Sequence, residues 1–108
     1  MTDEIVIFVT CPESESDRIA SQLVDEQIAA CVNIVPGVTS IYRWQGKISR
    51  DSEHLLIIKT EQNMWQTLEK RVRELHPYDV PEIIQFPINN GYAPYLQWIK
   101  DSVKQPGK

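Results

Sequence analysis

The segment Cys31–Trp44, CVNIVPGVTSIYRW, constrains this 108-residue chain more than any other. It is rich in β-branched and aromatic residues. Val38, Tyr42 and Trp44 share one strand parity, and Thr39, Ile41 and Arg43 share the other. Fourteen extended residues at about 3.3 Å each span roughly 46 Å. A compact chain of this length has a radius of gyration of about 13 Å, hence a diameter of roughly 34 Å. Such a strand does not fit within its own domain. After the turn QGK, the segment ISRDSEHLLIIKT runs back, polar in its first half and apolar in its second, which predicts a long β-hairpin. Pro36-Gly37 predicts a kink or bulge within it.

The outer part of that hairpin carries Ile41, Tyr42, Trp44 and Ile48. Left in water, these residues make an apolar patch beside open strand edges. The expected cover is another copy of the same chain. The alternative is a hairpin that bends at Pro36-Gly37 and folds back over its own core.

The remaining elements follow from apolar periodicity. IVIFV, Ile5 to Val9, predicts a short strand buried on both faces. Ser14 is the expected cap of a helix with Ile19, Leu23, Val24 and Ile28 on one side, ending near Ala30. A second helix is expected from Trp65, Leu68, Val72 and Leu75, with Asn63 as its cap and Glu69 to Arg73 as an i,i+4 pair. It should stop at His76, because Pro77 disfavours helical backbone in the residue before it. EIIQFPI predicts a fourth strand, placed by Pro87 at an edge or a bulge. Pro94 opens a third helix with Leu96, Ile99 and Val103 as its apolar side, and the tail KQPGK is expected to fray. The order β-α-β-β-α-β plus a C-terminal helix is the split βαβ plan of a ferredoxin-like α+β fold, in one domain spanning residues 1–108.

Composition narrows the function. A net charge of −4 and a pI near 5.1 oppose a nucleic-acid partner. No apolar run approaches a membrane span, and acid precedes the first apolar run, so the expected compartment is the cytoplasm. Cys11 and Cys31 have neither redox nor zinc spacing and read as free thiols. The P-loop and the dinucleotide fingerprint are missing, and no Ser-His-Asp constellation is evident, so no enzymatic activity is expected.

Four segments in order, AACVNIVPGVTSIYRWQGKI, IIKT, HPYDVPEI and YLQW, resemble the CutA family, named for divalent-cation tolerance. The resemblance covers essentially the whole chain. It implies a ferredoxin-like subunit in a homotrimer built through the long hairpin, with no established reaction and no obligatory cofactor. It also implies a link to copper or another divalent metal, or alternatively to small-molecule sensing between subunits.

Two sets of residues are candidates for chemistry. Cys11 and His76, with Asp79 and Glu82 nearby in the topology, suit copper or zinc as thiolate, imidazole and carboxylate. The competing reading is a buried thiol and a helix-end histidine bound to a carbonyl. The family pattern associated with copper carries a cysteine and a further histidine where this chain has Val9 and Leu75, so only His76 carries over. His54 reads as an ordinary polar position. By the resemblance, Lys59, Glu82, Tyr95 and Trp98 line a cleft between subunits, either as a ligand pocket or as a seal within the trimer.

Overall fold

The computed structural model describes residues 2–104, so most of the tail expected to fray lies outside the described residues. Within them the order is β1 (Glu4–Cys11), α1 (Glu13–Asp25), β2 (Cys31–Trp44), β3 (Lys47–Glu61), α2 (Trp65–Leu75), β4 (Ile83–Pro87) and α3 (Ala93–Ser102). The strands form one sheet in the order β2-β3-β1-β4, with every neighbouring pair antiparallel. This is the α+β arrangement read from the sequence, with β4 at an edge as Pro87 requires.

One face of the sheet forms the core. Ile5, Ile7 and Val9 of β1 and Leu56 and Ile58 of β3 pack with Ile19, Leu23, Leu68, Val72 and Ile99 of the helices. Strand β1 was expected to be buried on both faces, but its residues alternate between buried and half-buried. Helices α1 and α2 cover one side only, and Val6, Phe8 and Thr10 look out from the other.

Local chemistry sets the element ends. Helix α1 starts one residue before Ser14, after Pro12, and no side chain caps it. It stops at Asp25 instead of near Ala30, because Gln27 takes a left-handed conformation at φ 58°. Ile28 and Ala29 then both donate to the Leu23 carbonyl, so they are buried at a helix end and not within the helix. A 3-10 turn, Gln62–Met64, replaces the expected Asn63 cap of α2. The i,i+4 pair Glu69–Arg73 forms at 3.5 Å.

The hairpin reaches its expected length. Strand β2 pairs with β3 from Cys31↔Lys59 to Trp44↔Lys47, with the register shifting between Val35 and Val38 around Pro36-Gly37. Gly37 sits at φ 76°, where only glycine is unstrained. Gln45 and Gly46 close the hairpin, both at positive φ as a type I′ turn requires. The principal extents are 45 × 28 × 21 Å, so the long axis matches the span estimated for β2. The hairpin does not fold back over its own core. Ile41, Trp44 and Ile48 are 55%, 62% and 63% exposed.

Candidate functional site

Helix α2 ends where His76-Pro77 requires. The His76 N–H donates to the Val72 carbonyl at 2.8 Å, and the residue itself is extended, at φ −79° and ψ 138°. Its side chain is buried and committed at both nitrogens. Nδ1 accepts the Tyr78 N–H at 3.1 Å, which leaves Nε2 as the protonated nitrogen, donating to the Thr10 carbonyl at 2.7 Å. The imidazole thus ties the end of α2 to the end of β1.

Cys11 is fully buried beside this link. Burial first, then the carboxylates of Glu53 and Glu15, push its thiol up to about 11. Both members of the metal pair read from the sequence are engaged within the chain: His76 hydrogen-bonds through both ring nitrogens, and Cys11 lies in the core. No group of three or more histidine, cysteine or acidic side chains suited to a metal ion occurs among the described residues. His54 is a structural polar residue, its Nδ1 lying 2.9 Å from Ser16 Oγ.

The four cleft candidates separate within one chain. Lys59 pairs with Cys31 and with Val6, near the Tyr95 ring. Burial and contact with the Cys31 thiol push the Tyr95 phenol up, and Tyr95 stacks on Trp98 with ring centroids 5.6 Å apart. Glu82 lies instead beside Thr10, whose hydroxyl is 3.5 Å from its carboxylate. From Val6 to Thr10 is four residues along β1, or roughly 13 Å. A single subunit holds no Lys59–Glu82 pair.

Around Glu82 the chain builds a cleft of about 710 Å³ between the outer hairpin and the segment leading into β4. The hairpin supplies Ser40, Ile41, Tyr42, Trp44, Asp51 and Glu53; Thr10 and Tyr78, Asp79, Val80 and Glu82 complete the lining. Tyr42 donates to Asp51, and Tyr78 donates to Glu53 at 3.0 Å. Burial, followed by the hydrogen bond to Glu53 and its charge, pushes the Tyr78 phenol up to about 12. Sequence reasoning placed Tyr42, Trp44 and Glu82 in functional roles but missed Asp51, Glu53 and Tyr78. Their one sequence signal was strand parity, which puts Asp51 and Glu53 on the face of β3 that carries Lys59.

The comparisons with known proteins agree with this fold. The family described as CutA1 divalent ion tolerance protein matches residues 5–102. A divalent-cation tolerance protein CutA from Thermus thermophilus is 51% identical over 100 residues, 92% of this chain and 97% of that one. A chloroplastic CutA from Arabidopsis thaliana is 50% identical over 93% of this chain, which spans only 56% of that protein's length. The crystal structure of CutA from Xylella fastidiosa superimposes with a TM-score of 0.93 at 40% identity, covering 95% of this chain and 100% of that one. The chloroplast protein shows that such relatives are not confined to the cytoplasm. Among the described residues no helix is long and apolar enough to cross a membrane. With the family match spanning nearly all of its elements, this chain belongs to the CutA1 divalent ion tolerance family.

Proposed function

We propose that this chain acts as a non-enzymatic homotrimer supporting tolerance of divalent metal ions, copper foremost, with neighbouring copies covering each outer hairpin. One observation carries the reading: Ile41, Tyr42, Trp44 and Ile48 stand exposed on a hairpin that its own domain does not cover. Free edges on β2 and β4 give the neighbour strands to pair with. Any metal acts through a site that subunits complete together, because Cys11 and His76 are committed within the chain. Native mass spectrometry tests the assembly, with three times the chain mass of 12.5 kDa expected and 12.5 kDa alone overturning it. Calorimetric titration with copper and zinc tests the metal arm. Affinity unchanged in Cys11→Ser and His76→Ala is expected, whereas loss in both restores the intrachain pair.

A second reading, a trimer that senses a small molecule between subunits, is favoured by the cleft of about 710 Å³ at Glu82. Side-by-side packing would bring one copy's Lys59, Tyr95 and Trp98 toward the next copy's Glu82.

A further inference from the structure

We propose that the hairpin tip of one copy docks in the cleft between the outer hairpin and Tyr78–Glu82 of the next, with Arg43 and Arg50 of the tip meeting the carboxylates of the cleft. This deepens the assembly reading, on which it rests, by naming the two surfaces that meet.

Charge is divided between those surfaces. Residues 38–50 hold Arg43, Lys47 and Arg50 and no acid, in a chain with 15 acidic and 11 basic residues. Asp51, Glu53, Asp79 and Glu82 line the cleft, and no lysine or arginine does. The three tip cations are exposed, and neither they nor the cleft carboxylates take part in an ion pair among the described residues.

Strand geometry keeps the two sets apart within one chain. Asp51 and Glu53 lie opposite Ser40 and Val38, on the parity of Tyr42 and Trp44. Arg50 lies opposite Ile41 and Arg43 opposite Ile48, on the other parity, so both guanidiniums leave the sheet on the face away from those acids. Lys47 shares the acids' parity but sits four residues, roughly 13 Å, beyond Asp51 toward the turn.

The cleft is built to receive a guanidinium. Tyr42 and Tyr78 donate to Asp51 and Glu53, which holds those carboxylates in place beside aromatic rings. Arginine stays charged, donates to carboxylates and stacks on such rings. Apolar surface matches as well. Ile48 is 63% exposed beside Arg43, and Val80 is 90% exposed on the segment that walls the cleft. Seating the tip in the cleft covers both.

Charge also selects how copies meet. Tip against tip sets cation on cation, and cleft against cleft sets carboxylate on carboxylate, so both of these pairings are repelled. Tip into cleft joins two different surfaces, the heterologous contact from which a closed ring of three copies is made.

The test is charge reversal of the full chain, read by native mass and by sedimentation across a dilution series at low salt. Arg43→Glu/Arg50→Glu and, separately, Asp79→Lys/Glu82→Lys should each raise the concentration for half-assembly at least ~10-fold. All four positions are exposed, so circular dichroism should show each chain folded. A chain carrying all four reversals should recover assembly to within a few-fold of the parent. Lys70→Glu, an exposed charge of α2, should leave assembly unchanged. Assembly unmoved by either pair of reversals, no recovery when all four are combined, or an equal loss in Lys70→Glu overturns the proposal. Where a reversed chain does not fold, Arg43→Gln/Arg50→Gln decides. It should flatten the salt dependence of assembly, and a dependence equal to the parent's overturns the proposal. A parent that stays at 12.5 kDa removes the assembly reading and the docking with it; a three-copy parent indifferent to every reversal leaves assembly standing and removes the docking alone.

Discussion

The two halves of the β2–β3 hairpin share one hydrogen-bonded ladder but lie in opposite environments. In the inner half, Leu56, Ile58 and Thr60 are fully buried, and Val32 and Ile34 pack against the core. In the outer half, beyond the bulge at Pro36-Gly37, Ile41, Tyr42, Trp44 and Ile48 are exposed. Both halves have high β propensity, so strand formation alone does not explain the difference. The inner half packs against α1 and α3 of its own chain, whereas the exposed apolar residues of the outer half join no part of the core. Pairing resumes beyond the register shift, so the outer half keeps its ladder without an apolar layer from its own chain.

Paired truncations break or sharpen this contrast most strongly. Ile58→Ala should cost about 2 to 5 kcal/mol at any protein concentration, because it opens a cavity in a sealed core. Ile48→Ala should leave a single chain nearly unaffected yet lower the melting temperature in a concentration-dependent way, as loss of an intersubunit contact does. Calorimetry of both variants across a hundredfold dilution is the measurement. Equal, concentration-independent losses would erase the distinction between the halves.

The next largest effect lies at the boundary. Cys11 pairs with His54 just inside the bulge, in the last sealed layer. With its thiol raised from 9.0 to about 11, it should hold roughly 100-fold less thiolate at neutral pH than an ordinary cysteine. Alkylation at pH 8 should therefore label the half-buried Cys31 first. The sign for stability follows. The folded state prefers the protonated thiol, so that preference is intact below pH 9 and is lost as pH rises toward about 11. Cys11 labelling as fast as Cys31 at pH 8 would show that the boundary is open.

A smaller effect tests the joint between the halves. A Cβ on Gly37 would meet nothing within 4 Å, so Gly37→Ala is resisted by backbone conformation alone, at φ 76°. The expected cost is about 1 to 2 kcal/mol, read from the denaturation midpoint. A much larger loss would mean that the bend packs against a neighbour.

Much of this fold was legible because hydrophobic period and punctuation agree. Pro36-Gly37 marked the bulge, His76-Pro77 marked the end of α2, and the length of Cys31–Trp44 marked the projecting hairpin. Where two signals competed, tertiary geometry decided. Ile28 kept the helical spacing, yet Gln27 adopted the left-handed turn and ended α1 early. The candidate site was less legible because its pieces lie far apart in sequence. Glu53 sits in the polar run RDSEH, and nothing local shows that Tyr78, 25 residues later, folds over it. Nor did the residue types reveal that His76 spends both nitrogens on backbone groups.

The smallest effect belongs to the covered side, where charge is abundant but secondary. Arg71 of α2 grips Glu26 at the end of α1 in a bidentate pair, at 2.8 Å and 3.0 Å. The Arg71 hydrogen bonds first, then that from Gln22, hold the Glu26 carboxyl below the usual carboxylate range. Its contribution is therefore present above the ordinary carboxylate pKa and fades as pH falls through the lowered value in the folded chain. Both partners remain partly in water, so Glu26→Gln should lower the melting temperature at pH 7 by less than Gly37→Ala does. As pH falls through that lowered value, variant and parent should converge, because both then lack the charge. A loss rivalling Ile58→Ala would mean that the helices are clamped by charge more than by the apolar layer beneath them, and the inner half would owe its order to something other than burial.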